Sequence, residues 1–198
     1  MTKADRRIQR TRKLLQHALI ELLRQGEYDA ITIQDIADRA NLGRTTFYLH
    51  FNSKDELFIS CHESIITEFY VERAQSFSKE ELLSLEAPSG MISAYRHLEE
   101  ARTLLHSIFQ SRNGMHILAK LRESSAREIR SALCTAFPEA ESAIPMDVLS
   151  SYLAGAQIAL VQWWLEKRQP RELEDLAQIF HRLQRTAIRD AFGIKDSD

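Results

Sequence analysis

Between residues 44 and 51 the chain reads Arg44, Thr45, Thr46, Phe47, Tyr48, Leu49, His50, Phe51. At 3.6 residues per turn Phe47 and Phe51 share one side of a short helix, leaving Thr45, Tyr48 and Leu49 on its outward face. The chemistry such a face can do is base reading. Arg44 can fork onto guanine O6 and N7, Thr45 can meet a base edge or a thymine methyl, and Leu49, which gains nothing from water, can pack against a thymine methyl. A second concentration of reactive charge lies further back, where Lys3, Arg6, Arg7, Arg10, Arg12 and Lys13 crowd the first 13 positions with Asp5 as the only acid. These side chains either solvate the start of a helix or attract phosphate.

Other chemistries find little support. The chain holds no His-Glu-x-x-His, Gly-x-Ser-x-Gly, P-loop or Gly-x-Gly-x-x-Gly pattern, so an enzyme is not expected, nor any cofactor. The seven histidines are too scattered for a local metal motif, which leaves an all-α metal-dependent hydrolase as a remote alternative. Cys61 and Cys134 form neither a disulfide framework nor a zinc spacing, and Cys61 reads as a buried inert thiol in preference to a redox sensor. With 26 basic and 28 acidic side chains and 44% hydrophobic residues in 198, the composition is that of an ordinary globular protein. No segment approaches the roughly 20 apolar residues of a membrane span. The N-terminal segment leads into no apolar signal region, so a reducing cytoplasm is the expected compartment.

The elements that must position the outward face are helical. All four prolines lie beyond residue 87 and none interrupts a periodic run; hairpin turns of the Asn-Gly or Asp-Gly type are absent. The fold class is therefore all-α. From Asp5 to Gln25, Ile8, Leu15, Ala18, Leu19 and Leu22 form one stripe, and Gly26 is expected to stop this helix in a left-handed conformation. Thr32 and Asp35 are spaced as a capping box for a second helix burying Ile33, Ile36, Ala37 and Ala40. Asn41 tolerates the positive φ of a tight turn, and a third helix should run from Arg44 to His50. Two short helices joined by three or four residues make a helix-turn-helix. Ser53 and Glu56 predict a second capping box heading a further helix over 54–75.

The stretch from Ile31 to Leu57, with its core Thr45-Thr46-Phe47-Tyr48-Leu49-His50-Phe51-Asn52-Ser53-Lys54-Asp55-Glu56-Leu57, resembles the DNA-binding signature of the tetracycline-repressor (TetR) family of bacterial transcriptional regulators. The likeness covers roughly residues 8 to 58. Asn41 stands where that family commonly has glycine, and Gly43 where it often has serine, which removes a hydroxyl from the head of the recognition helix. The resemblance implies that Thr32, Tyr48, His50 and Lys54 clamp phosphates, and that Thr46 joins Arg44, Thr45 and Leu49 at the double-stranded operator. It also implies a domain of residues 1–52 that binds DNA and a helical domain of residues 53–198 that dimerises and holds a small-molecule effector.

The remaining chain fits that layout. Runs over about 90–110 and 115–136 are amphipathic, with Asn113 and Gly114 marking a break. From Met146 to Lys167, one apolar face carries Leu149, Tyr152, Leu153, Ala156, Leu160, Trp163 and Trp164, and another Ile158, Val161 and Leu165. A helix apolar on two faces is buried on two. With Leu176, Phe180 and Leu183 of the helix after Pro170, the residues Tyr152, Ala156, Leu160 and Trp163 are the candidate homodimer interface; a wholly intrachain core is the alternative. Candidate effector-pocket residues are His62, Tyr70, Tyr95, His106, Phe109 and Met115. A repressor released by its effector is the favoured function. A related adaptor that binds a protein partner through its helical body is the alternative.

Overall fold

The computed structural model describes residues 3–61, 77–100, 102–138, 141–167 and 172–195. The described residues are helical without a strand, as composition and periodicity predict: α1 (Lys3–Leu23), α2 (Ile33–Arg39), α3 (Arg44–Tyr48), α4 (54–61), α5 (Lys79–Leu83), α6 (Ser89–Glu100), α7 (Arg102–Phe109), α8 (Gly114–Ala136), α9 (Met146–Glu166) and α10 (Leu173–Ala191). Two compact units emerge, one of residues 1–67 and 103–117, the other of 68–102 and 118–198.

In the first unit Leu15, Ala18, Leu19 and Leu23 of α1 are buried together with Ile36, Ala37, Phe47, Phe51, Leu57 and Phe58. Leu105, Ile108 and Ile117 are buried as well. The predicted left-handed stop at Gly26 is not found: among the described residues the positive φ angles belong to Asn41 and Gly193. Instead α1 unwinds through a tight turn in which the Gln25 and Gly26 amides both donate to the Leu22 carbonyl, which closes the helix without a left-handed residue. Gly114 marks the break foreseen before α8, for a reason of space. A Cβ there would lie 2.8 and 2.9 Å from the carbonyl oxygens of Ile108 and Phe109, so only glycine allows the two backbone segments to approach.

The second unit is organised on α10, which packs against α5, α6 and α9. A core of Leu82, Leu133, Phe137, Leu149, Leu153, Ile188 and Ala191 joins α5, α8, α9 and α10, with Phe137 stacked on Phe192 at 4.2 Å. Three polar residues on one side of α10 hold the turn after α5. Gln178 accepts from the Ala87 amide at 2.7 Å, Arg185 donates to the Leu83 carbonyl at 2.7 Å, and His181 Nε2 lies 2.9 Å from the Ser84 carbonyl. A carbonyl only accepts, so Nε2 carries the proton and Nδ1 is free to accept from Gln184 at 3.4 Å. Burial first, and then the nearby Arg185 charge, hold His181 below the ordinary histidine range despite the Ser84 bond. Between that lowered value and about 6.5, the unfolded chain binds a proton that the native one refuses, so stability falls as pH drops through this window. Acidification from about pH 7.5 to 5.5 is therefore expected to lower the melting temperature, and H181Q to shrink that loss when both are followed by circular dichroism.

Candidate nucleic-acid interface

The turn between α2 and α3 is set by backbone and side-chain size. Asn41 sits at φ 54°, and the Leu42 amide returns to the Ala37 carbonyl at 2.8 Å, a close approach that the fully buried methyl of Ala37 permits. α2 starts with the predicted capping box: Thr32 Oγ1 accepts from the Asp35 amide at 3.1 Å, while Asp35 Oδ2 accepts from the Thr32 amide at 2.8 Å and its hydroxyl at 2.6 Å. These bonds hold the Asp35 carboxyl below its usual range. They also commit the single hydroxyl proton of Thr32 to the cap.

α3 presents the face that the periodicity outlined. Phe47 and Phe51 are buried with their ring centroids 6.0 Å apart. Arg44, Thr45 and Tyr48 are exposed, Thr46 is half-buried, and Leu49 is 77% exposed. The Arg44 guanidinium lies over the Tyr48 ring at 5.9 Å, with Nη2 3.5 Å from its hydroxyl. The helix ends at Tyr48, two residues short of the predicted His50; Gly43 supplies no capping side chain, and so short a segment keeps its shape from Phe47 and Phe51 rather than from its own hydrogen bonds.

His50 is half-buried, and its carbonyl accepts from Arg12 Nη1 at 2.9 Å. Burial, with Arg12 beside it, lowers the affinity of its ring for a proton. Arg12 also lies over the Phe51 ring at 4.1 Å, so this member of the basic cluster is a strut. The Ser53 box is found by half. Ser53 Oγ accepts from the Glu56 amide at 3.1 Å, but Glu56 Oε2 takes the Asn52 amide at 2.8 Å, one residue earlier than predicted.

Lys54 is half-buried. Its ammonium donates to the Tyr28 carbonyl and, at 2.6 Å, to that of Ile31, and lies over the Tyr28 ring at 4.2 Å. Burial lowers its proton affinity, against the pull of Asp29, Asp55 and Asp35. The same turn receives residues distant in sequence. The Tyr28 amide donates to Ser107 Oγ at 2.9 Å, the Arg112 amide to Asp29 Oδ2 at 3.1 Å, and Asn113 Nδ2 to Asp55 Oδ2 at 2.9 Å. The Tyr28 hydroxyl donates to the other Asp55 oxygen, and burial pushes its own ionisation upward. Tyr28, Asp55, Ser107 and Asn113 thus hold the helix-turn-helix from behind; no local pattern marks them, because each matters through a partner far along the chain. Cys61 is buried beside Gln16, and burial pushes its thiol up to about 12, so it is not a thiolate at neutral pH.

The other candidate residues are dispersed. His62 and Tyr70 lie outside the described residues. Tyr95 is buried in the second unit, its ring 6.3 Å from that of Phe180, whereas His106, Phe109 and Met115 belong to the first, Met115 being 82% exposed. An open groove of about 450 Å³ between α8 and α9 is lined instead by Lys120, Arg122, Glu123, Arg127 and Arg130 opposite Asp147, Ser150 and Ser151. Of the interface candidates, Leu176 and Phe180 are buried within the chain, Ala156 and Leu160 half-buried. Tyr152 at 63%, Leu183 at 59% and Trp163 at 41% exposure face outward with Val148 and Ile179, while Trp164 is fully buried.

Known proteins carry the same features. Residues 15–61 match the bacterial regulatory proteins of the tetR family, and residues 86–186 match a transcriptional regulator C-terminal region. The HTH-type transcriptional regulator YxbF of Bacillus subtilis strain 168 is 46% identical over 54 residues, which is 27% of this chain and only 14% of that relative's length. A TetR transcriptional regulator from Streptococcus agalactiae 2603V is 26% identical, with 91% of this chain and 97% of that one superposed at a TM-score of 0.57. The Thermus thermophilus repressor FadR in complex with lauroyl-CoA shares the fold at 16% identity, 94% and 97% coverage and a TM-score of 0.62. Among the described residues no helix is long and apolar enough to cross a membrane. With the helix-turn-helix and the helical region behind it both matched, the chain belongs to the TetR family of DNA-binding transcriptional regulators.

Proposed function

We propose that the chain is a homodimeric repressor that reads a pseudo-palindromic operator and leaves it when a small molecule binds its helical region of residues 53–198. The observation that carries this reading is α3, whose apolar side is sealed by Phe47 and Phe51 and whose other side offers Arg44, Thr45, Tyr48 and Leu49 to solvent. An exposed Leu49 beside a cation, an aromatic hydroxyl and a threonine is suited to a major groove, where methyl groups and hydrogen-bonding edges alternate. Thr46, Tyr48, His50 and Lys54 serve the phosphates at its rim, Lys54 through the one ammonium proton left after its two carbonyl bonds. Thr32 acts through the cap that fixes α2. Two-fold symmetry then places two such helices one helical turn of DNA apart.

The outward apolar stripe of Val148, Tyr152 and Trp163 on α9 with Ile179 and Leu183 on α10 supports dimerisation. Binding of lauroyl-CoA by the similarly folded FadR supports a small-molecule effector. Operator and effector must then weaken each other's binding by one common factor, which calorimetric titration with and without operator measures.

Duplexes selected by the full-length protein from a random-sequence library test the DNA reading. A shared inverted repeat is the expected result; selection of none overturns it. Arg44→Ala is expected to lower affinity for the selected duplex by about 1–3 kcal/mol, roughly five- to 150-fold, and to relax preference at one base pair of each half-site. An equal loss on random DNA would show that Arg44 holds phosphate.

A further inference from the structure

The groove between α8 and α9 lies wholly within the second unit. Its volume of about 450 Å³ is that of a small-molecule site, yet its walls are charged where such sites are mostly apolar. Four cations, Lys120, Arg122, Arg127 and Arg130, line it against two carboxylates, Glu123 and Asp147, in a chain whose net charge is −2. The groove is therefore opposite in sign to the protein as a whole, and a concave wall of one sign concentrates counter-ions.

Both carboxylates are already engaged. Glu123 Oε2 accepts from Lys120 Nζ at 3.0 Å and its Oε1 lies 3.7 Å from Arg127 Nη1; these cations hold its carboxyl below the usual range, the Lys120 bond first. Asp147 Oδ1 accepts from the Val148 amide at 3.0 Å. Arg122 and Arg130 have no carboxylate partner among the described residues. They stand eight positions apart on one side of α8, about 12 Å along its axis. Arg122 is placed by packing: a Cβ at Gly155 would lie 3.9 Å from its Cδ, so its stem runs beside the bare backbone of α9 and leaves the guanidinium as the polar end. From the facing wall, exposed Ser151 adds a hydroxyl donor. A molecule suited to this groove has at least two anionic groups spaced along its length, each able to take an arginine fork, and little apolar surface.

We propose that this groove binds a small polyanion whose phosphate or carboxylate groups are taken by Arg122 and Arg130, while Glu123 restrains Lys120 and Arg127 from joining them. The site gives the small molecule of the reading above a place and a chemical class, and it rests on that reading for its effect on DNA. Calorimetric titration of the full-length protein with inorganic tripolyphosphate, and separately with citrate, tests the site at low salt, where exposed charges are least screened. One anion per chain is expected from at least one of the two, and the one that binds distinguishes phosphate from carboxylate. R122Q/R130Q should weaken binding about tenfold, whereas R24Q/K195Q, which removes as much charge at exposed positions elsewhere, should not. E123Q should tighten binding about threefold by freeing Lys120 and Arg127, and E128Q, the same charge change on α8 outside the groove, should leave it as it is. Binding of neither anion, or equal effects within either pair of variants whose circular dichroism matches wild type, overturns the proposal. The link to DNA is read separately, at constant ionic strength. There the anion should lower wild-type affinity for a duplex selected from a random library about fivefold or more, and R122Q/R130Q should not respond. An anion that binds the groove and leaves duplex affinity unchanged overturns its assignment as the effector site; a wild type that selects no duplex sinks the operator reading instead.

Discussion

On the proposed dimer reading, Trp163→Glu with Leu183→Glu is expected to leave a folded monomer whose operator affinity is lower by about three orders of magnitude. Both side chains lie outward on their own protomer, where substitutions usually change stability by no more than about 0.5 kcal/mol, so each chain should keep its helicity. In a two-fold interface each new carboxylate appears twice and would be stripped of water against Val148, Tyr152 and Ile179, at several kcal/mol per buried ion. A dimer of this class, commonly burying over about 2,000 Å², does not tolerate that. A monomer holds one half-site, and its affinity should approach the non-specific range of roughly 10⁻⁴ to 10⁻⁶ M from the 10⁻⁸ M or tighter of specific complexes. Sedimentation and operator titration measure the two effects. A variant that remains dimeric would locate the interface elsewhere. Phe180→Glu makes the contrast: Phe180 is buried within the chain, so its loss should cost folding before it costs association.

Lys54→Met is expected to lower stability by about 2–4 kcal/mol. Methionine keeps the volume and removes the charge, leaving the Tyr28 and Ile31 carbonyls without the ammonium they share. Hydrogen bonds to a charged group are worth about 1.5–3 kcal/mol each, and the contact with the Tyr28 ring goes with them. At roughly 2–4 °C per kcal/mol for a chain of this size, thermal denaturation should shift by about 4–16 °C. An unchanged midpoint combined with a shallower salt dependence of DNA binding would mean that Lys54 faces phosphate alone. Both changes together are expected if its third proton reaches the duplex.

The positions legible in the sequence are those whose reasons are local. The Thr32 and Asp35 cap, the positive φ of Asn41, the inward Phe47 and Phe51 and the outward Leu49 all follow from spacings of one to four residues, because helix periodicity and cap geometry are short-range. Errors arose where two local solutions compete. Gly26 could end α1 through a left-handed residue, yet a bifurcated turn onto Leu22 closes it as well. Glu56 could cap from Ser53 or Asn52, and it takes Asn52. Leu176 and Leu183 are equivalent by residue type and, seven residues apart, lie within about 20° of each other around α10, yet one is buried and the other exposed, because the difference lies in which neighbours cover each turn of the helix.

By itself, then, the sequence determined the all-α class and the helix-turn-helix with its outward face, since each is written in periodicities that a chain must satisfy before it packs, while the family entered through the resemblance of one motif. Only the tertiary structure decided which polar groups serve the fold. Arg12 looks like one cation among six until it is seen bonded to His50 and stacked on Phe51. Lys54 looks like a free phosphate ligand until two carbonyls are found on its ammonium. Ser107, Arg112 and Asn113 join the N-terminal unit by meeting Tyr28, Asp29 and Asp55 some sixty to eighty residues away. A buried or half-buried polar group must find a partner wherever the fold brings one, and that choice is made by packing, which no local spacing encodes.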